Sequence, residues 1–154
     1  MLILGLDPGS TRVGYGFIQK NKNGLTLIKS GLLKVASKEK HQRLIEIEKH
    51  LLQLIKKNKP DLVAMEKLFF MKNLKTAMEV AQSRGVLTLT ITKYKIPLLE
   101  FSPSEIKIAV TGYGMADKKA VAKMVSLILK TKEIKGPDDV TDAIATAITA
   151  ANYN

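Results

Sequence analysis

Cysteine is absent from the 154 residues, and with it go three possibilities: a disulfide scaffold, a thiolate zinc site and a Cys nucleophile. Tryptophan is also missing, and aromatic side chains make up 5% of the chain. Long apolar runs are lacking too. Leu62 to Met65 and Ala143 to Ile148 are too short to cross a bilayer, and Met1 leads straight into Leu-Ile-Leu with none of the basic residues that open a secretion signal. The expectation is a soluble, cytoplasmic protein with no membrane partner. Acids are scarce, 14 against 25 Lys and Arg, so the net charge is +11. No repeat, low-complexity tract or linker interrupts the chain.

What is present fits one domain over residues 1–154, since 45% hydrophobic residues suffice for a core at this length. The basic excess points to a polyanion. Nearly all of it is Lys, with Arg at Arg12, Arg43 and Arg84 alone. Lys is a point charge suited to phosphates, whereas bidentate reading of base edges favours Arg, so the composition favours recognition of nucleic-acid shape. A coding bias that scatters Lys everywhere is the bland alternative.

Leu2 to Leu6 is a continuous apolar run, as in a strand covered on both faces, and it stops at Asp7 before Pro8-Gly9-Ser10. Val13 to Lys20 and Leu25 to Val35 flank Asn21-Lys22-Asn23-Gly24, which predicts an antiparallel hairpin. Leu44, Ile47, Leu51, Leu54 and Ile55 recur at helical spacing between Lys38 and Lys57. Leu62 to Met65 reads as a second fully apolar strand ending on a carboxylate, Glu66. A helix follows from about Asn73 to Thr92, with Leu74, Ala77, Met78, Ala81 and Leu89 as its apolar stripe. After it come a short strand from Pro97 to Phe101 and helices at Ser104 to Val110, Lys118 to Leu129 and Asp139 to Ala151. A right-handed crossover brings the fourth strand in parallel to the first. If the two are neighbours, Asp7 and Glu66 lie side by side at the edge where α/β sheets bind ligands.

A strongly basic chain that gathers acids in one place needs a reason for it. Asp139 and Asp142, three apart at the start of the last helix, project about 60° from each other around its axis. Four converging carboxylates suit hard divalent cations such as Mg²⁺ or Mn²⁺; without metal they raise one another's pKa. Each acid alone also has a plain structural reading, as a turn former, a cap or a surface acid, and Asp138 reads as a helix cap. A negative pocket for metal in a positive field for phosphate is the pattern expected of a nuclease.

The segment from Gly5 through Asp7-Pro8-Gly9-Ser10 to Gly14-Tyr15-Gly16 resembles the opening of the RuvC-type Holliday-junction resolvases, members of the ribonuclease H-like superfamily. Further blocks in family order are Ala64-Met65-Glu66 leading into Phe69-Phe70-Met71-Lys72-Asn73, then Ala81-Gln82-Ser83-Arg84-Gly85, Thr111-Gly112-Tyr113-Gly114 with Lys118, and Asp139-Val140-Thr141-Asp142-Ala143. The resemblance implies an α/β ribonuclease H-like fold: a mixed five-stranded sheet, its first three strands antiparallel, flanked by helices. It implies that Asp7, Glu66, Asp139 and Asp142 are catalytic, metal-binding acids holding two Mg²⁺ ions, with Mn²⁺ as a substitute. Phe69 matches an aromatic placed against bases near the crossover, and Lys107 and Lys118 match basic residues close to the scissile phosphates. Phe70, Lys72, Asn73 and Arg84 are further candidate DNA contacts, and Phe70 doubles the aromatic so that either ring can do the work. The implied activity is symmetric nicking of two like-polarity strands of a four-way junction by a homodimer, leaving 5′-phosphate and 3′-hydroxyl ends, in recombination and repair alongside the RuvA and RuvB branch-migration proteins. Ala81 and Gly85 suit close helix approach, either at a dimer interface or inside the fold. Two other readings stand beside this one: a YqgF-type RNA-processing nuclease, and a non-catalytic basic module binding structured nucleic acid.

Overall fold

The computed structural model describes residues 1–68 and 74–153, with only the backbone described at Leu74 and Lys75. Strands β1 (Leu2–Pro8), β2 (Val13–Asn21) and β3 (Gly24–Leu32) are followed by helix α1 (Lys40–Asn58) and strand β4 (Leu62–Glu66). Helix α2 (Leu74–Lys93), strand β5 (Leu98–Phe101) and helices α3 (Pro103–Thr111), α4 (Lys118–Ile128) and α5 (Asp138–Asn152) complete the chain. The sheet order is β3-β2-β1-β4-β5. β1 runs antiparallel to β2 and parallel to β4, and β5 is parallel to β4.

The apolar runs of the central strands are explained by cover on both faces. Ile3 and Ala64 point into a core shared with Ile106, Val125, Ile144 and Ile148 of α3, α4 and α5. Leu4, Leu6, Val63 and Met65 point the other way, against Ile47 and Leu51 of α1 and Leu87 and Ile91 of α2. Strand alternation then fixes the two residues that end these runs. Asp7 follows Leu6 and shares the face of Gly5; Glu66 follows Met65 and shares the face of Ala64. Both acids are therefore directed to the α5 side.

Helix α5 lies unusually close to the sheet because three glycines leave room for its backbone. A Cβ at Gly5 would collide with the carbonyl oxygen of Ala143, one at Gly14 with the carbonyl oxygen of Asp139, and one at Gly16 would meet Ile144. Every residue from Ala143 to Ala151 is buried, as expected for a helix laid across the middle of a sheet. Helix α3 starts with a capping box, Ser102 accepting from the Glu105 N–H and Glu105 accepting from the Ser102 N–H, a device worth about 1 kcal/mol.

The sequence reading of α2 needs correcting. Met78 and Leu89, assigned to the inward stripe, are 63% and 54% exposed, while Leu87 and Ile91 face the core. The helix carries apolar or small side chains around most of its circumference, so one periodic stripe fits it about as well as another. Asp138 is not a cap either: Pro137 holds the N-cap position with no side-chain cap bond, and Asp138 pairs with Lys118 at 2.7 Å. Strand β3 stops at Leu32, three residues before the expected end, although the Leu33 N–H still donates to the Val13 carbonyl.

Candidate active site

Leu6 pairs with Met65 in the parallel register, so the next residues, Asp7 and Glu66, close two adjacent strands at their C-terminal ends. The first two turns of α5 carry Asp139 and Asp142 over the same edge, held down by the contact at Gly14. A cleft of about 310 Å³ opens there, lined by Asp7, Pro8, Glu66, Lys67, Val80 and Arg84. A second, of about 220 Å³, lies on the other side of Glu66, between Pro103, Ile106 and Lys107 of α3, Lys118 and Asp142. Glu66 borders both.

The electrostatics identify the acids as one group. Burial, reinforced by the negative charges of Asp142, Glu66 and Asp139, lifts the Asp7 carboxyl from 3.8 to about 7, against a smaller opposing pull from Lys118. Glu66 is raised by burial and by Asp142, with Lys107, Lys118 and Arg84 pulling the other way. Asp142 is raised by burial and by Asp138 and Asp139, and is opposed by Lys118 and Lys107. Two cations sit directly on the cluster: Arg12 pairs with Asp139 at 3.3 Å, and Lys118 reaches Asp138 at 2.7 Å and Asp142 at 3.8 Å. Among the described residues, no group of three His, Asp or Glu side chains is arranged to hold a metal ion as it stands. The donor set nevertheless fits one, being all carboxylate oxygen, partly desolvated and short of positive charge at Asp7.

Lys107 and Lys118, expected from the resemblance near the scissile phosphates, border the second cleft with Glu66 and Asp142. Arg84, a candidate DNA contact from the sequence, lines the first cleft and is engaged within the chain. Its side chain is 16% exposed, and its guanidinium donates to the Glu66 carbonyl and pairs with Glu100, tying the end of β4 to β5. Phe69, Phe70, Lys72 and Asn73 lie outside the described residues. Two features escaped the sequence reading: the Arg12–Asp139 pair and the second partner that Asp138 gives Lys118. Both join residues far apart in the chain, and no periodicity or motif marks such pairs.

Comparison with known proteins matches residues 3–150 to the family model described as crossover junction endodeoxyribonuclease RuvC. The RuvC of Petrotoga mobilis is 43% identical over 154 residues, covering 99% of this chain and 94% of its own length. That of Halothermothrix orenii is 44% identical over 153 residues, covering 99% and 93%. Among solved structures, Thermus thermophilus RuvC in complex with a Holliday junction substrate superposes with a TM-score of 0.89 at 30% identity, covering 97% of this chain and 92% of that one.

Proposed function

The chain belongs to the RuvC family of crossover junction endodeoxyribonucleases, and from that membership we propose that it resolves four-way DNA junctions by hydrolysis at the cluster of Asp7, Glu66, Asp139 and Asp142. The observation that carries this reading is the convergence of half-buried acids at the β1/β4 edge of a protein with net charge +11. Setting the four acids aside leaves 25 basic side chains against ten acidic ones, a surface drawn to phosphate.

The four carboxylates would hold two Mg²⁺ ions, or Mn²⁺ in their place. Bound there, the metal supplies Lewis acidity for an in-line displacement by water that leaves 5′-phosphate and 3′-hydroxyl ends. The chain's own groups do the rest. Lys107 and Lys118 border the cleft beside Glu66 and offset charge on the reacting phosphate. Arg84 fixes the strand end that presents Glu66, so the carboxylate is positioned before substrate arrives. Exposed Met78, Gln82, Gly85 and Leu89 form one stripe along α2, and a Cβ at Gly85 would meet nothing within 4 Å among the described residues. That stripe supports a homodimer with one site for each of two like-polarity strands. Cooperation with RuvA and RuvB, and a cytoplasmic location, rest on the family resemblance.

The test is cleavage of a synthetic four-way junction, with linear duplex and structured RNA as controls. Wild type should cut the junction with Mg²⁺ and fall silent in EDTA. Glu66→Gln should bind the junction normally and cut it at least about a hundredfold more slowly. A Glu66→Gln protein that cuts at near wild-type rate overturns the assignment, and faster cutting of structured RNA than of the junction moves the protein to the RNA-processing class.

A further inference from the structure

The Arg12–Asp139 pair is half solvated: the Arg12 side chain is 56% exposed and that of Asp139 19%. Arg12 sits in the short connection between β1 and β2, directly after the Asp7-Pro8-Gly9-Ser10 turn and at the rim of the acid cluster. Its guanidinium has five donors and suits a carboxylate or a phosphate equally well. Bound to Asp139, it withholds one of the four acids. Lys118 is placed differently, because Asp138 offers it a nearer partner than Asp142 does.

We propose that Arg12 is a positioning residue that couples metal loading to DNA: in the free protein it pairs with Asp139, and an arriving phosphate takes the guanidinium and releases Asp139 to the cation site. The inference rests on the four-acid reading above. Exposure is what lets the pair work as an exchange. A buried guanidinium would be locked to Asp139, whereas this one can leave for a competing anion at little cost. By reciprocity, any gain in metal affinity on DNA binding must appear as an equal gain in DNA affinity on metal binding.

The experiment measures Mn²⁺ binding to full-length wild type, R12Q and R12K by electron paramagnetic resonance, with and without a phosphorothioate junction that is cut slowly. Without DNA, R12Q should bind Mn²⁺ about two- to fivefold more tightly than wild type, the range open to an exposed ion pair. Adding the junction should tighten Mn²⁺ binding in wild type and R12K by more than in R12Q, by a similar factor. In the background of D139N the effect of R12Q on Mn²⁺ affinity should vanish, which separates release of Asp139 from a general loss of positive charge. Junction binding by R12Q should also depend less steeply on salt, its log–log slope shallower by about 0.9 for the lost phosphate contact. Equal Mn²⁺ affinities for wild type and R12Q, an R12Q effect that persists in D139N, or an unchanged salt slope would each overturn the exchange while leaving the four-acid site standing. Failure of every variant to bind Mn²⁺, with or without junction, would remove the four-acid site and the exchange together.

Discussion

Asp7 is a charge held against its own preference. The fold buries it at the end of β1 among three other acids, and its carboxyl titrates near 7 where an unperturbed one titrates near 3.8. A raised acid destabilises the folded state when it ionises. The Asp7 contribution to the stability of the metal-free protein should therefore be fully present below about pH 4, be lost as pH rises towards 7, and stay lost above that. Glu66 and Asp142 are shifted in the same direction and steepen the loss. Full conversion of the Asp7 shift gives about 4 kcal/mol, and partial solvation with Lys118 nearby reduces it to about 2–4 kcal/mol. Asp7→Asn should thus melt above wild type at pH 8 in EDTA, match it near pH 4, and gain less from added Mg²⁺. Calorimetry at the two pH values decides the matter, and a variant less stable than wild type at pH 8 would show that Asp7 is held by favourable contacts instead.

Helix α5 carries two of the four acids, and its seat on the sheet sets where they stand. Gly14 meets the backbone at Asp139 itself, whereas Gly5 meets the middle of the helix at Ala143 and Ala147. Gly14→Ala should lift the first turn of α5 and depress cutting by at least about tenfold for a stability loss of about 1–3 kcal/mol. Gly5→Ala should cost comparable stability with a smaller effect on cutting per folded molecule. Thermal melts run beside single-turnover cleavage separate the two, and a Gly14→Ala protein with wild-type cutting would mean that the first turn is not what positions Asp139. Much of this arrangement was legible in the chain. An apolar run ending on an acid shows the strand and the end at which the acid sits, so Asp7 and Glu66 could be expected at one edge of the sheet, whereas the face they take depends on where α5 lies. The three-residue spacing of Asp139 and Asp142 did the same for the helix. The inward face of α2 was not legible, because small and apolar residues surround that helix and the choice of face is made by α1 and the sheet. Arg84, a candidate DNA contact from the sequence, is paired with Glu100 and the Glu66 carbonyl. Nothing local in a sequence records such partners.

For the whole molecule, resolution of a junction requires two cuts, and this chain offers one acid cluster. In the proposed homodimer a second chain supplies the other, and the exposed stripe of α2 is the surface we assign to their contact. Met78, Gln82, Gly85 and Leu89 fall at i, i+4, i+7 and i+11, one exposed line along the outside of the helix. Gly85 is the informative member. A glycine inside a helix costs about 1 kcal/mol relative to alanine, and no neighbour among the described residues requires it. A second helix crossing close at that point would. Leu89→Glu tests this without disturbing the core, since the side chain is 54% exposed in the isolated chain. In a two-fold interface the substitution buries one carboxylate from each chain against the apolar surface of the other. The variant should keep the helical circular dichroism of wild type, run at half the mass in light scattering at micromolar concentration, and convert junctions to singly nicked products where wild type makes paired nicks. A variant that stays dimeric and still cuts in pairs would move the interface off α2. One that becomes monomeric yet resolves junctions in a concerted step would mean that pairing of the two cuts does not depend on this contact.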